Sequence, residues 1–105
     1  MKTLRFDHIA LSSLDIRKSV NWYRQNLNAE VLYQDETWAV VQVSNVKIAF
    51  VLPNKHPAHF CFELIDDESH PLIEGKNFRD HRDGSSSVYI RDPDGNFIEF
   101  LKWDN

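Results

Sequence analysis

The sequence predicts an α+β fold in which a strand-rich unit occurs twice, the second copy trimmed, and three observations predict it. One amphipathic helix pattern lies near the N-terminus among β-prone runs. The order of strand-forming segments in the first half returns in the second. Short stretches of the two halves also match at their first and last strands.

Leu4–Ser12 alternates and is β-prone at its centre, so it reads as a strand, and Asp15 is then well placed to cap a helix. Ile16, Val20, Tyr23 and Leu27 follow at helical spacing, with Arg17, Lys18, Asn21 and Arg24 off the stripe, which describes a helix laid on a sheet. Asn26 and Asn28 suit its end. Three β-rich runs, 30–34, 38–43 and 46–52, are separated by Asp35-Glu36 and Ser44-Asn45 and form a meander. Pro53, Asn54, Lys55 and Pro57 cannot continue a central strand.

Ala58–Leu64 starts a new strand, and Ser85–Arg91 and Phe97–Trp103 are two more, joined by the turn-forming Asp92-Pro93-Asp94-Gly95-Asn96. Between them, 66–75 has room for only a short helix and 77–81 for a brief strand. The chain is therefore expected to be a single domain over 1–105, with repeat units at about 1–54 and 55–105.

Within the repeat, Asp7-His8-Ile9-Ala10-Leu11 matches Ala58-His59-Phe60-Cys61-Phe62, and Lys47-Ile48-Ala49-Phe50-Val51 matches Phe97-Ile98-Glu99-Phe100-Leu101. Two-residue periodicity makes Ile9, Leu11, Ile48, Phe50, Phe60, Phe62, Leu64, Val88, Ile90, Ile98 and Phe100 one apolar face, expected to pack on helices. The other face carries His8, Ala10 and Ser12, His59, Cys61 and Glu63, Ser87, Tyr89 and Arg91, Ala49, and Glu99. A lone histidine or glutamate on a strand is usually a solvated or hydrogen-bonded side chain. Two histidines at equivalent repeat positions and a glutamate at the equivalent last strand are a different matter, because pseudo-symmetric packing would bring them together. Two imidazoles and a carboxylate hold one divalent cation, Mn, Fe, Zn or Ni, and leave positions open for substrate. His56, His70 and His81 match nothing in the repeat and read as surface residues. Cys61 is either a soft auxiliary group or a small core residue.

These residues resemble the glyoxalase, bleomycin-resistance and extradiol-dioxygenase (vicinal oxygen chelate) superfamily across essentially the whole chain. The resemblance is carried by Asp7-His8-Ile9 before a helix with Trp22-Tyr23, by His59, and by the run from Arg91 to Glu99. It implies paired βαβββ units forming an incomplete, glyoxalase-like barrel around a metal ion. The family's four ligand positions fall on His8, Ala49, His59 and Glu99, so one is vacant. That pattern resembles fosfomycin-resistance thiol transferases and extradiol dioxygenases more than glyoxalase I. Tyr89 matches a position where a hydroxyl contacts the metal-bound substrate, and Glu99 and Tyr89 are the candidate catalytic residues, with Arg91 and Cys61 beside Tyr89 as candidate substrate-binding ones. Arg79 and Arg82 fall where fosfomycin enzymes carry anion-binding residues, but that stretch is shortened and the role is not assigned. The resemblance also implies a homodimer with shared sites, His8 from one chain and His59 and Glu99 from the other.

The expected function is a metal-dependent enzyme acting on a small oxygen-chelating substrate, of lyase, transferase or dioxygenase type, antibiotic resistance included. The competing readings are a metal-free binding protein of the bleomycin-resistance type and a degenerate, non-catalytic member. Twelve Lys and Arg against sixteen Asp and Glu give a formal charge of −4, and the longest basic run is Arg17-Lys18, which argues against nucleic acid or an anionic membrane as partner. A single cysteine excludes an internal disulfide and a cysteine-based zinc site. No apolar run approaches the ~20 residues of a membrane span, and the N-terminus lacks a signal-like stretch, so a cytoplasmic setting is expected.

Overall fold

The computed structural model describes residues 4–65, 71–81 and 83–103. Its elements are β1 (Leu4–Ser12), α1 (Ile16–Leu27), β2 (Glu30–Gln34), β3 (Trp38–Val43), β4 (Val46–Val51), β5 (His59–Leu64), a 3-10 turn (Pro71–Ile73), β6 (Arg79–Asp80), β7 (Ser85–Arg91) and β8 (Phe97–Trp103). The class is α+β, as expected. Contacts divide the chain into two compact units, one of His8–His59 and one of the residues up to Asp7 with those from Phe60 onward. The cut differs from that between the sequence halves.

In the His8–His59 unit the strand order is β2-β3-β4-β1. β1 runs parallel to β4, pairing Ile9 with Ile48, Ala10 with Ala49 and Leu11 with Phe50, while β3 is antiparallel to both β2 and β4. α1 starts where Asp15 accepts a hydrogen bond from Lys18 N at 3.1 Å. It stops where Asn28 takes a left-handed conformation, φ 54°, which an asparagine tolerates. Ile16 and Val20 bury against Ala39, Val41 and Phe50, and the Tyr23 ring meets Phe50 edge-on at 4.8 Å. Leu27 departs from the expected stripe. It lies in the last turn and is 45% exposed. A second cluster of Ala10, Ala49, Val51 and Val40 lies apart from this core. The β2–β3 turn is tied by Asp35, which accepts from Tyr33 Oη, Thr37 N and Trp38 N; led by the tyrosine bond, these hold its carboxyl at about 2.

In the other unit the order is β1-β5-β8-β7-β6, with β7 and β8 antiparallel over their whole lengths, from Ser85 opposite Trp103 to Arg91 opposite Phe97. Their turn is closed by the Asp92 carboxylate, which accepts from Asp94 N, Asn96 N and Asn96 Nδ2, each at 2.9 Å. The bonds from Asn96 hold the Asp92 carboxyl below the usual range. Gly95 supplies the positive φ, 87°, that the turn requires. Leu64, Ile73 and Phe100 form the core, with Leu4, Phe62, Phe78, Val88, Ile90 and Ile98 packed on it.

Two expectations about the apolar face need correction here. No α-helix covers this unit's core among the described residues, and the 3-10 turn with its buried Ile73 takes that place. Phe60 is 46% exposed rather than packed, and its ring meets Phe6 at 6.4 Å. Along β1 the apolar contacts are made by Leu4 and Phe6 in this unit, whereas in the other the adjacent Ala10 and Leu11 each join a separate apolar cluster. No helix among the described residues is long and apolar enough to cross a membrane.

Candidate metal centre

His8 and His59 belong to the same compact unit, one on β1 and one at the start of β5. Their ring centroids are 5.5 Å apart at an interplanar angle of 71°, and a ring nitrogen of each lies within 4.8 Å of one of the other. His59 is 8% exposed, and its Nδ1 is 2.8 Å from the carbonyl oxygen of Pro57. A carbonyl can only accept, so Nδ1 carries the hydrogen. In the neutral ring Nε2 is then left with its lone pair, the state in which a histidine binds a metal with its other nitrogen anchored. The donor chemistry of this pair fits a divalent cation.

Ala49, at the family's remaining position, lies beside Ala10 in the small apolar cluster and is almost fully covered. A methyl has no donor atom, so this position cannot ligate.

The other predicted residues lie in the second unit. Glu99 on β8 is buried and directly opposite Tyr89 on β7. Cys61 is fully buried. Arg91 is exposed, with its guanidinium 4.5 Å from the centre of the Phe97 ring, which Tyr89 also meets edge-on. Burial first, then the Glu99 carboxylate and the Cys61 sulfur, push the Tyr89 hydroxyl above the ordinary tyrosine range, against a smaller opposing pull from Arg79. Tyr89 is therefore a phenol, able to donate, at any physiological pH.

The folded state binds that proton more tightly than the unfolded chain does. Stability from this source is full below the unfolded tyrosine value, about pH 10, and is lost as pH rises toward the higher folded value. Urea midpoints measured from about pH 8 to about pH 11 should fall in the unmodified protein and fall less in Tyr89→Phe. Equal slopes would exclude Tyr89 as the source.

Of the remaining histidines, His56 lies exposed in the loop after β4, and His70, like Arg82, lies outside the described residues. His81 is exposed, as the sequence suggested, yet its Nε2 is 2.7 Å from Oγ of the buried Ser87. Sequence reading missed this pair because the two residues meet only through the register of the β6–β7 hairpin.

A mixed α+β fold with two histidine rings in contact narrows the class of protein, and comparison with known proteins identifies it. The family model described as Glyoxalase/Bleomycin resistance protein/Dioxygenase superfamily matches residues 5–77, and the chain belongs to that superfamily. Among curated relatives, Metallothiol transferase FosB of Staphylococcus haemolyticus (strain JCSC1435) is 28% identical over 112 residues, covering 89% of this chain and 79% of its own. The crystal structure of a superfamily member from Vibrio splendidus 12B01 is similar with a TM-score of 0.71 at 20% identity, over 97% of this chain and 100% of its own. Methylmalonyl-CoA epimerase from Mycobacterium tuberculosis is similar with a TM-score of 0.74 at 15% identity, over 95% of this chain and 88% of its own. At those identities the two structures speak for the fold alone.

Proposed function

We propose that the protein is a divalent-metal-dependent enzyme whose substrate is a small molecule with two neighbouring oxygens, and that His8, His59 and Glu99 are the protein ligands. The observation that carries the reading is the His59 ring, fixed through Nδ1 by Pro57 with His8 beside it. A surface histidine has no need of that tether. The repeat, which sets Glu99 at the position matching Ala49, and the superfamily membership support the third ligand.

A bound divalent cation supplies Lewis acidity that polarises a chelated substrate oxygen. The chain's own groups do the rest. Tyr89, kept protonated, donates a hydrogen bond to an oxygen that gains negative charge. Arg91, stacked on Phe97, offers a fixed cation to an acidic substituent, and Cys61 forms part of the wall beneath Tyr89. Among lyase, transferase and dioxygenase chemistry, the name carried by the curated relatives favours transfer of a thiol to the substrate. Assembly as a homodimer belongs to this reading and is measured by sedimentation.

Protein purified without chelators should bind one equivalent of Mn(II) per chain in a calorimetric titration, and acetohydroxamate, a bidentate oxygen ligand, should bind only to the loaded form. Failure to bind Mn(II), Fe(II), Zn(II) or Ni(II) more tightly than a His8→Ala variant overturns the proposal.

A further inference from the structure

One residue before His8 and two after His59, the neighbouring strands β1 and β5 carry a carboxylate and a thiol that the proposed ligand set does not use. An oxygen of Asp7 and the sulfur of Cys61, both in the unit that holds Glu99, lie within 4.8 Å of each other. Contacts one and two residues away fix the strands around this pair. Arg5 donates to the Glu63 carboxylate at 2.9 Å, and the Phe6 ring meets that of Phe62 edge-on at 5.8 Å. Phe62 and Leu64 turn toward the core of their unit, so the alternation of β5 turns Cys61 and Glu63 to the opposite face. Cys61 is fully buried, yet it joins none of the apolar clusters among the described residues. A cysteine that serves packing sits among apolar groups as a small hydrophobe. This one has the Asp7 carboxylate beside it and interacts through space with the Tyr89 hydroxyl.

We propose that Asp7 and Cys61, with the adjoining His8, hold a thiophilic divalent cation of the zinc and cadmium type. The inference goes beyond the metal-enzyme reading and shares only His8 with it. A single thiolate cannot build the sulfur-rich sites of structural zinc. Sulfur, oxygen and nitrogen together, however, form a mixed donor set that borderline and soft cations favour and from which the hard Mn(II) gains little. Sulfur at about 2.3 Å and oxygen at about 2.1 Å from one zinc ion stand no more than about 4.4 Å apart. The pair therefore closes on an ion with a shift of about 0.4 Å or less.

On binding, the Cys61 thiol releases its proton to water and its sulfur donates a lone pair to the cation, with no change of oxidation state. Carboxylate and thiolate then match the two positive charges of the cation, which offsets the cost of a buried thiolate. A neutral imidazole has one lone pair, so His8 serves one ion at a time. A thiophilic cation on Asp7 and Cys61 thus removes a ligand from the proposed three-ligand site, and the two occupancies exclude each other.

Cadmium is a suitable probe, because a thiolate bound to it gives an ultraviolet charge-transfer band and the chain has only one cysteine to supply it. Titrated into the full chain, Cd(II) should raise that band to a plateau at one equivalent, and Mn(II) should raise none. On protein loaded with Mn(II), the same titration should release the manganese, seen as the free ion by electron paramagnetic resonance. Asp7→Asn and Cys61→Ala should each weaken Cd(II) binding about tenfold or more. Both variants should keep the Mn(II) affinity and the circular dichroism of the unmodified protein. Absence of the band, an unchanged Cd(II) affinity in Asp7→Asn, or manganese retained at the plateau overturns the proposal. A band that depends on Asp7 in a chain that fails to bind Mn(II) would sink the metal-enzyme reading and leave this one standing.

Discussion

His59→Ala is expected to lower divalent-cation affinity by roughly 100-fold or more, beyond the 10–100-fold that loss of a supporting partner typically costs a metal site. The reason lies in the bond from Nδ1 to Pro57, which leaves Nε2 of the neutral ring with its lone pair and removes the orientational freedom the ring would otherwise lose on binding a cation as proposed. His59→Asn separates this role from a structural one. An asparagine amide can reach the Pro57 carbonyl much as Nδ1 does, but it has nothing at the place of Nε2. Calorimetry should therefore find the cation lost in His59→Asn while thermal stability stays near that of the unmodified protein. His8→Ala should behave like His59→Ala, and His56→Ala should be silent. Retention of full affinity in His59→Asn would show that the ring is there for packing.

The largest effect on stability is expected from Phe50→Ala. Phe50 is fully buried, pairs with Leu11 across the parallel β1–β4 ladder and with Ala39 across the antiparallel one, and is met edge-on by Tyr23 from the helix. Truncation removes the side chain that joins α1 to three strands, and a rigid sheet cannot collapse into the gap. The cost should be about 3–5 kcal/mol. For a domain of this size that means a fall in Tm of roughly 15 °C or more, read by far-ultraviolet circular dichroism. A fall of only a few degrees would mean that the helix repacks onto the sheet.

The elements legible in the sequence are those whose signals are local. α1 is announced by Asp15 and by a stripe that buries Ile16 and Val20. The β7–β8 hairpin is announced by strict alternation around a turn whose Asp92, Gly95 and Asn96 each have a bond or a dihedral to satisfy. What the sequence hides depends on partners remote along the chain. Phe60 alternates like a core residue but meets another exposed ring, Phe6, and Leu27 continues a helical stripe past the end of the sheet it could cover.

The candidate site divides in the same way. The repeat singled out His8, His59 and Glu99 from a chain with five histidines. Neither the bond from His59 to Pro57 nor that from His81 to Ser87 could be read without backbone geometry, and these bonds convert residue types into oriented donors.

Ala49 bears on how this chain could change over generations. Restoring a fourth donor looks like a single codon step, yet the methyl at 49 is enclosed by Ala10, Val51 and Val40. A histidine or glutamate forced into that space would overpack it, at a typical cost of 1–3 kcal/mol, roughly, before any benefit from the added donor. At least one neighbour would have to shrink in concert. In the proposed three-donor site, packing around Ala49 therefore protects the vacancy, and a return to four ligands would be harder than change elsewhere around the site.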